Sequence, residues 1–521
     1  MTHMHNYSLL SSETDKHQRK TRPGQLDFAG VFALLELHRD PQHPSTPLSF
    51  LRRPNIYSFV FGFVVLFLIM ASYVLSSESK TFYITASPYH TMKPGTGERF
   101  SSSKDSAHMS QVVQRILSNV EFTSRKLPDV RTLEQSEAHM FSVIPGHFLP
   151  AVKNPCWYEN LSLNLSGNPY KRNLYARYSR QSRASFDFLR RSFWKHVLQW
   201  QGKLYRLRCL PYFYVIGQPK CGTTDLYERL RLHPDIQVSS LKEPHWWTRK
   251  RFGIIRPSDG LHTRYPIEDY LDLFDLPAHQ IQDQIFTNMT GRGGTSDTIV
   301  GEASASTMWD NNAWGNFYTN TSDAEPPFLI QDFIHALQPE ARFITILRDP
   351  VERLYSDYLY FGIANKSLED FHEKVWESLQ LFDACLQDFS IRACVYNSTL
   401  NNAMPVRLHV GLYAVYVLDW LSVFRRDQLL VLRLEDHAAN KTISMNRVFH
   451  FLQLGPLSEQ KEAEITERPA SNTRRLADKN LGPMLPLTRR VLTQFYSLFN
   501  RELATVLHDD SFLWDTHPTH T

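Results

Sequence analysis

Clusters of histidine and cysteine with metal-ligand spacing are absent from this chain, and no internal repeat recurs along its 521 residues. The first absence gives no sign of a His/Cys-held metal, and the second excludes a repeat architecture. Cysteine is scarce, at five residues, and net charge is small, at a formal +4. So mild a balance says little about partners, and the distribution of charge has to carry that argument. An apolar content of 42% with 13% aromatics supports a sizeable core, enough for one large domain with appendages.

Charge is missing altogether from the 20 residues Ile56–Leu75, a length that spans a bilayer core at ~1.5 Å per residue. Arg52 and Arg53 precede the run and Ser76-Ser-Glu78 follows it. The positive-inside rule then keeps residues 1–55 in the cytosol and places the rest in the lumen. The run lies too far from Met1 and is too long for a cleaved signal peptide, so it reads as a type II signal anchor. Seven Asn-x-Ser/Thr sequons follow it, at Asn160, Asn164, Asn288, Asn320, Asn365, Asn397 and Asn440, in keeping with a glycosylated compartment. All five cysteines follow it too, where an oxidising lumen permits disulfides. Cys385 and Cys394 can close a short loop, Cys156 can pair with Cys209, and Cys221 is then left over. Connectivity is not deducible from sequence; five reduced thiols, or a leftover cysteine joining two chains, stay open.

Residues 1–55 read as a polar cytoplasmic tail and residues 76–130 as a lumenal stem rich in Ser, Thr, Lys and His, with little apolar periodicity. Order is expected to begin near Leu133–Pro150. Residues 131–208 read as a basic N-terminal extension and residues 209–521 as the catalytic domain. Within the extension, residues 171–208 hold eleven Lys/Arg and a single acid, Asp187. Phe186, Leu189, Phe193, Val197 and Trp200 fall at helical spacing, which leaves Arg180, Arg183, Arg190, Arg191 and Lys195 on the outer face. Such a helix is either a solvated surface or a track for a polyanion. In a glycosylating compartment the polyanion is an acidic polysaccharide, not nucleic acid.

From Cys209 onward, apolar segments that read as strands (Phe213–Ile216, Ile236–Val238, Thr298–Val300, Arg342–Leu347, Leu429–Leu434) alternate with helical ones (Asp225–Leu232, Glu352–Phe361, Val410–Phe424, Met445–Leu452). The alternation predicts an α/β fold whose parallel sheet is covered on both faces, with ligands at the carboxyl ends of its strands. Gly217-Gln-Pro-Lys-Cys-Gly-Thr-Thr224 joins the first strand to the first helix. A Gly-containing loop at a helix N-terminus aims free N–H groups and the helix dipole at an anion. Lys220 adds a mobile cation, and Thr223 and Thr224 add hydroxyl donors. Gly217 and Gly222 have Walker A spacing, but Thr223 stands where that motif needs Lys and no carboxylate pair for Mg²⁺ is evident. Both absences argue against a lumenal kinase. Arg348 ends the Arg342 strand and Pro350 opens the next helix, so Arg348 and Ser356 can reach one anion. Leu241-Lys-Glu-Pro-His-Trp-Trp247 follows the second strand and faces the same crevice.

Pro-Lys-x-Gly-Thr-Thr at 219–224 resembles the 5′-phosphosulfate loop of the sulfotransferases that use 3′-phosphoadenylyl sulfate (PAPS), and Arg-Asp-Pro-x-x-Arg-x-x-Ser at 348–356 resembles their 3′-phosphate motif. Pro155-Cys-Trp-Tyr158, Lys242–Phe252, Gly301–Asp310 and Asn401-Asn-Ala-Met-Pro405 are similar to the Golgi carbohydrate sulfotransferases, and among them to the N-acetylgalactosamine 4-sulfate 6-O-sulfotransferases. The resemblance implies a P-loop-like three-layer fold and PAPS as donor, released as PAP. It implies that Lys220, Cys221, Gly222, Thr223, Thr224, Arg348 and Ser356 hold the nucleotide, and that a C-terminal loop with Arg474 and Arg475 closes over it. It further implies Glu243 as the base, His245 as the group orienting the acceptor, and Lys220 as the cation on the bridging oxygen. Lys242, Trp246, Trp247 and Arg249, with Arg190 and Arg191, would meet the acceptor.

The implied reaction moves sulfate in line to the 6-hydroxyl of GalNAc 4-sulfate in chondroitin or dermatan sulfate, giving disulfated E units. The implied setting is the Golgi membrane, single-pass type II, with the catalytic domain lumenal. A homodimer, a secreted form cleaved in the stem, and stimulation by a divalent cation that screens the acceptor complete the expectations. Two alternatives stand beside this one: a sulfotransferase acting on heparan sulfate, and a non-catalytic glycosaminoglycan-binding membrane protein. The latter needs the basic helix but not Lys220, Glu243 and Arg348 together.

Overall fold

The computed structural model describes residues 103–150, 152–161, 167–254, 263–289, 295–318, 324–362 and 366–514. The expected anchor at 56–75 lies outside them; among the described residues no helix is long and apolar enough to cross a membrane.

Strands β1 (Cys156–Leu161), β2 (Leu198–Trp200) and β3 (Lys203–Cys209) form an antiparallel sheet in the order β1-β3-β2. Strands β4 (Phe213–Gly217), β5 (Ile236–Val238), β6 (Ile299–Ala303), β7 (Arg342–Leu347) and β8 (Leu429–Arg433) form a second sheet in the order β5-β6-β4-β7-β8, parallel throughout. Their apolar runs are continuous because both faces are buried. Phe213, Val215, Ile344 and Ile346 enter one core, while Tyr214, Ile216, Phe343 and Leu347 enter the other. The helices that matter for the site are α1 (Ser103–Ser118), α2 (Arg180–Ser192), α3 (Thr223–Leu230), α4 (Asp275–Met289), α5 (Pro350–Phe361), α6 (Leu368–Asp388), α7 (Tyr413–Leu421), α8 (Lys441–Phe451), α9 (Glu459–Thr466) and α10 (Pro486–Leu507). Residues of α3, α8 and α9 fill the first core; residues of α5, α7 and α10 line the second. From β4 the chain runs to the β5 edge, returns through β6, and crosses to β7 on the far side of β4. The order therefore reverses at β4, and in sheets of this kind ligands bind over the carboxyl ends of the strands at that point.

Four differences from the sequence reading have physical reasons. The span expected as stem contains α1, whose Met109, Val112, Val113 and Ile116 are buried in the main core. Their i, i+3, i+4, i+7 spacing is helical, but it sits inside a polar stretch that masks it. Arg115 on its outer side pairs with Asp383 of α6 at 2.6 Å. Strand β6 runs two residues past Gly301, through Glu302 to Ala303; Gly301 is required there because a Cβ would come within 2.3 Å of the Phe213 ring. The basic helix ends at Ser192, so Val197 and Trp200 lie beyond it and Trp200 is exposed. Of the eleven cations, Arg206 and Arg208 are not surface groups: they are packed among Glu159, Asp272 and Asp275, joining β3 to α4.

Cys156 and Cys209 face each other across β1 and β3 and are disulfide-bonded, as are Cys385, on α6, and Cys394. Cys221 is free and buried. Burial pushes its thiol up to about 12. A thiol so placed is not presented to a second chain in this fold.

Candidate active site

The candidate site residues lie on the segments that leave β4, β5 and β7 at their carboxyl ends. After β4 comes the loop Gln218–Gly222, which enters α3 with Gly222 as N-cap at φ 91°. Only glycine fits: a Cβ at 222 would stand 2.7 Å from Leu434 Cδ1 in the segment that follows β8. Lys220 also holds a positive φ, 67°, and its side chain reaches α5. There its Nζ lies 3.6 Å from the centre of the Tyr360 ring. Burial lowers the Lys220 pKa; Asp357 opposes that shift, and Arg348, Arg475 and Arg407 add to it. These cations thus share one electrostatic neighbourhood suited to a multiply charged anion. Cys221 takes a different position: its Sγ is turned inward, 3.8 Å from the Tyr413 hydroxyl.

After β7 comes Arg348, whose Nη2 lies 3.6 Å from Glu352 Oε2 on α5. Its carbonyl accepts from the Tyr413 hydroxyl at 2.9 Å. Asp349 caps α5 by accepting from the Val351 N–H at 2.9 Å, and Pro350 occupies the first turn. Ser356 is half-buried on this helix. Arg353, the arginine inside the motif, is fully buried beside Asp357 and donates to the Arg407 carbonyl. Arg407, which the sequence reading did not single out, pairs with Asp357 and covers the rings of Phe361 and Trp309. Arg475 donates to the Leu359 carbonyl at 3.1 Å and to Asp478 at 2.8 Å, and Arg474 lies over Tyr355.

After β5 the chain passes along the end of β6, with the Glu243 N–H donating to the Ala303 carbonyl. Glu243 and His245 both have positive φ, 54° and 51°, conformations that cost on the order of 1 kcal/mol each and are held by their surroundings. Lys242 bridges the two motifs: its Nζ donates to Thr224 Oγ1 at 2.9 Å and to Glu243 Oε1 at 3.3 Å. His245 Nε2 is 3.7 Å from Glu243 Oε2, and its Nδ1 is 2.7 Å from Ser306 Oγ. Burial, then Arg249, Lys250 and Lys242, lower its pKa to about 3. The ring is therefore neutral, and its contact with Glu243 is not an ion pair.

Trp246 and Trp247 do not line the crevice. They are buried in an aromatic cluster with Tyr270, their N–H groups donating to the Tyr265 carbonyl and the Tyr270 hydroxyl. Hydrophobic burial outweighs acceptor contact for residues that sit between sheet and helix. Arg249 is half-buried against Asp310 at 2.7 Å. Arg190 and Arg191 are exposed on α2. That region touches the site through its neighbour Leu174–Tyr178, where the Tyr175 hydroxyl donates to the Pro244 carbonyl. Of the sequons, Asn160 and Asn440 are exposed and Asn397 is half-buried; Asn164, Asn320, Asn365 and the side chain of Asn288 fall outside the described residues.

Sequence reading missed Glu302. A carboxyl inside the apolar strand Ile299-Val-Gly-Glu-Ala303 was the available signal. Its Oε1 accepts from Ser304 Oγ at 2.5 Å, and Ser304 Oγ accepts from the His245 N–H at 3.2 Å. Burial raises its pKa from 4.5 to about 8; the Ser304 bond opposes the shift and the nearby Glu243 adds to it. A folded-state pKa above the unfolded one means that the folded protein holds this proton more tightly. The resulting stabilisation is full below the unfolded value and is lost as pH rises through the folded one. Urea midpoints are therefore expected to fall between about pH 5 and about pH 8, and to fall less in Glu302→Gln, with a difference on the order of a few kcal/mol. Equal pH slopes in the two proteins would contradict this assignment.

The geometry agrees with comparison against known proteins. A family model described as "Sulfotransferase domain" matches residues 210–485, just over half of the chain. Human carbohydrate sulfotransferase 15 is 57% identical over 481 residues, covering 88% of this chain and 86% of its own. A shorter carbohydrate sulfotransferase 15 from Nototodarus sloanii is 36% identical over 138 residues, 26% of this chain and 87% of its own. The mouse bifunctional heparan sulfate N-deacetylase/N-sulfotransferase 4 is 28% identical over 323 residues, 57% of this chain and 30% of its own. With a parallel sheet, a non-Walker anion loop and a second basic strand end already in place, the chain belongs to the sulfotransferase family, and within it to the PAPS-dependent carbohydrate sulfotransferases related to carbohydrate sulfotransferase 15.

Proposed function

We propose that this enzyme transfers sulfate from PAPS to the 6-hydroxyl of GalNAc 4-sulfate in chondroitin or dermatan sulfate. The observation that supports it most is the convergence of the Lys220 loop, Arg348 and the Glu243 segment at one end of the parallel sheet, with Lys242 bonded to Thr224. Gly222, Thr223, Thr224 and the loop N–H groups hold the 5′-phosphate; Arg348 and Ser356 hold the 3′-phosphate; Arg474 and Arg475 close from the C-terminal side. Glu243 takes the proton of the acceptor hydroxyl as its oxygen bonds to sulfur. The sulfur–oxygen bond to the 5′-phosphate breaks, its electron pair stays on that phosphate, and Lys220 neutralises the charge that develops there. His245, neutral and held by Ser306, donates to or accepts from the acceptor without competing for the proton. Arg249 and the exposed Arg190 and Arg191 attract the polyanion, and a divalent cation would act only by screening it.

The enzyme is assigned to the Golgi membrane as a single-pass type II protein anchored by residues 56–75, with tail 1–55 in the cytosol. The two disulfides and the exposed Asn160 and Asn440 are in keeping with a lumenal catalytic part. The helix Ser103–Ser118 packs into the catalytic part, so the proposed stem is shorter than residues 76–130. A homodimer would be non-covalent, since Cys221 is buried.

Full-length protein in detergent, with labelled PAPS and a panel of chondroitin, chondroitin 4-sulfate, dermatan sulfate and heparan sulfate, tests the acceptor. Label in 4,6-disulfated GalNAc disaccharides is expected. Label confined to heparan disaccharides would keep the chemistry and overturn the acceptor. PAP binding without any transfer would leave a binding protein.

A further inference from the structure

One carboxylate, Asp225 in the first turn of α3, gathers three distant parts of the chain. Its Oδ2 accepts from Arg229 Nε at 2.8 Å and from His437 Nε2 at 3.0 Å. Its Oδ1 accepts from Arg229 Nη2 at 3.2 Å and from the backbone N–H of Ser471 at 2.8 Å. Arg229 and His437 are almost completely buried. Arg229 then donates to the carbonyls of Ile465, Thr466 and Arg468, the last at 2.7 Å. Residues 465–471 are thereby laid along the phosphate helix. A few residues on, Arg474 and Arg475 contact Tyr355, Leu359 and Tyr360 of α5, the helix of the second phosphate motif. The Tyr355 hydroxyl donates to the Gly482 carbonyl beyond. The segment 465–475 is thus a strap fastened to both helices that carry a phosphate motif.

A free carboxylate one turn from a phosphate cradle would repel the ligand. Here burial favours protonation, but the bonds from His437, Arg229 and the Ser471 N–H outweigh it and hold Asp225 ionised well below the usual carboxylate range. Its charge is satisfied by these donors, so it is turned away from the ligand and toward the strap.

We infer that Asp225 is a positioning residue which, through the Ser471 N–H and Arg229, fastens the 465–475 strap to the phosphate helix and so sets the enzyme's hold on PAPS. The inference rests on the nucleotide reading above and adds the residue that fixes the closing segment. It predicts a split effect. Asp225→Asn should raise the PAP dissociation constant and the KM for PAPS about tenfold, the loss of one charge-assisted bond, with KM for the acceptor and kcat at saturating PAPS little changed.

Because Asp225→Asn disturbs a buried cluster, a second pair of variants carries the test if it fails to fold. Ser471→Pro deletes the donating N–H from the half-buried strap, and Ser471→Ala retains it. Calorimetric titration of the full chain with PAP, with hydrogen exchange of residues 465–475, is the measurement. Weaker PAP binding and faster exchange confined to the strap in Ser471→Pro, with Ser471→Ala unchanged, is the expected result. Unchanged affinity and exchange in Ser471→Pro would overturn the inference, as would loss of protection spread across α3 and the sheet, which marks a purely structural role. Wild-type protein that fails to bind PAP would instead overturn the nucleotide reading, and this inference with it.

Discussion

Glu243→Gln is expected to lower the turnover of sulfuryl transfer about 10²–10⁴-fold while leaving PAP affinity within about twofold, the range for a lost general base. The amide keeps the shape of the side chain and can still accept from Lys242, which sits 3.3 Å from Glu243 Oε1. It cannot take the proton of the acceptor hydroxyl. Among the groups beside it, His245 is a poor replacement: its pKa is depressed to about 3, chiefly by burial, and its Nδ1 is committed to Ser306. Lys242 is a cation engaged with Thr224. Labelled-sulfate transfer under saturating PAPS measures the effect. A variant that retains activity within about tenfold of wild type would remove Glu243 from the base role, since that is less than general-base catalysis supplies.

Lys220→Ala is expected to lower turnover about 10²–10³-fold, the scale on which a single preorganised donor to a developing charge contributes. PAP affinity should fall as well, by about tenfold, because one of the cations facing the nucleotide is gone. Among the described residues Lys220 makes no ion pair, unlike three of the cations around it. Arg348 lies near Glu352, Arg407 is paired with Asp357, and Arg475 is paired with Asp478. Lys220 instead rests on the face of Tyr360, a contact that a phosphate oxygen can replace without breaking an ion pair. Lys220→Arg is expected to restore binding more than turnover, since a planar fork does not reach the bridging oxygen as a compact ammonium does. Steady-state kinetics with calorimetry of PAP separates the two quantities; an alanine variant with normal turnover and weak binding alone would limit Lys220 to holding the nucleotide.

The local features of this site were legible because they depend on short stretches of chain. A strand, a glycine that must take φ 91°, and a helix opened by two threonines all lie between Phe213 and Leu230. Arg348 at a strand end, with Asp349 as cap and Pro350 in the first turn, is equally local. The alternation of apolar strands with helices was enough for the parallel sheet, since strands buried on both faces need no polar alternation.

What the sequence by itself determined, then, is the α/β class, the two basic strand ends that carry Lys220 and Arg348, the Lys242–His245 segment after β5, and the two pairs of cysteines whose spacing allowed the bonds that formed. Tertiary structure alone decided which polar groups are internal and which aromatics are not at the surface. Trp246 and Trp247 went to the core because Tyr270 and Tyr265, some twenty residues away in sequence, complete their cluster. Glu302 became a buried neighbour of the site because β6 is flanked by β4 and β5, so its carboxyl has Ser304 as its partner in place of water. Asp225 meets Ser471, 246 residues further on, and α1 finds its place against α6 and α10. Periodicity and loop chemistry act over a few residues, whereas burial and electrostatic partnership are fixed by contacts between segments that only the folded chain brings together.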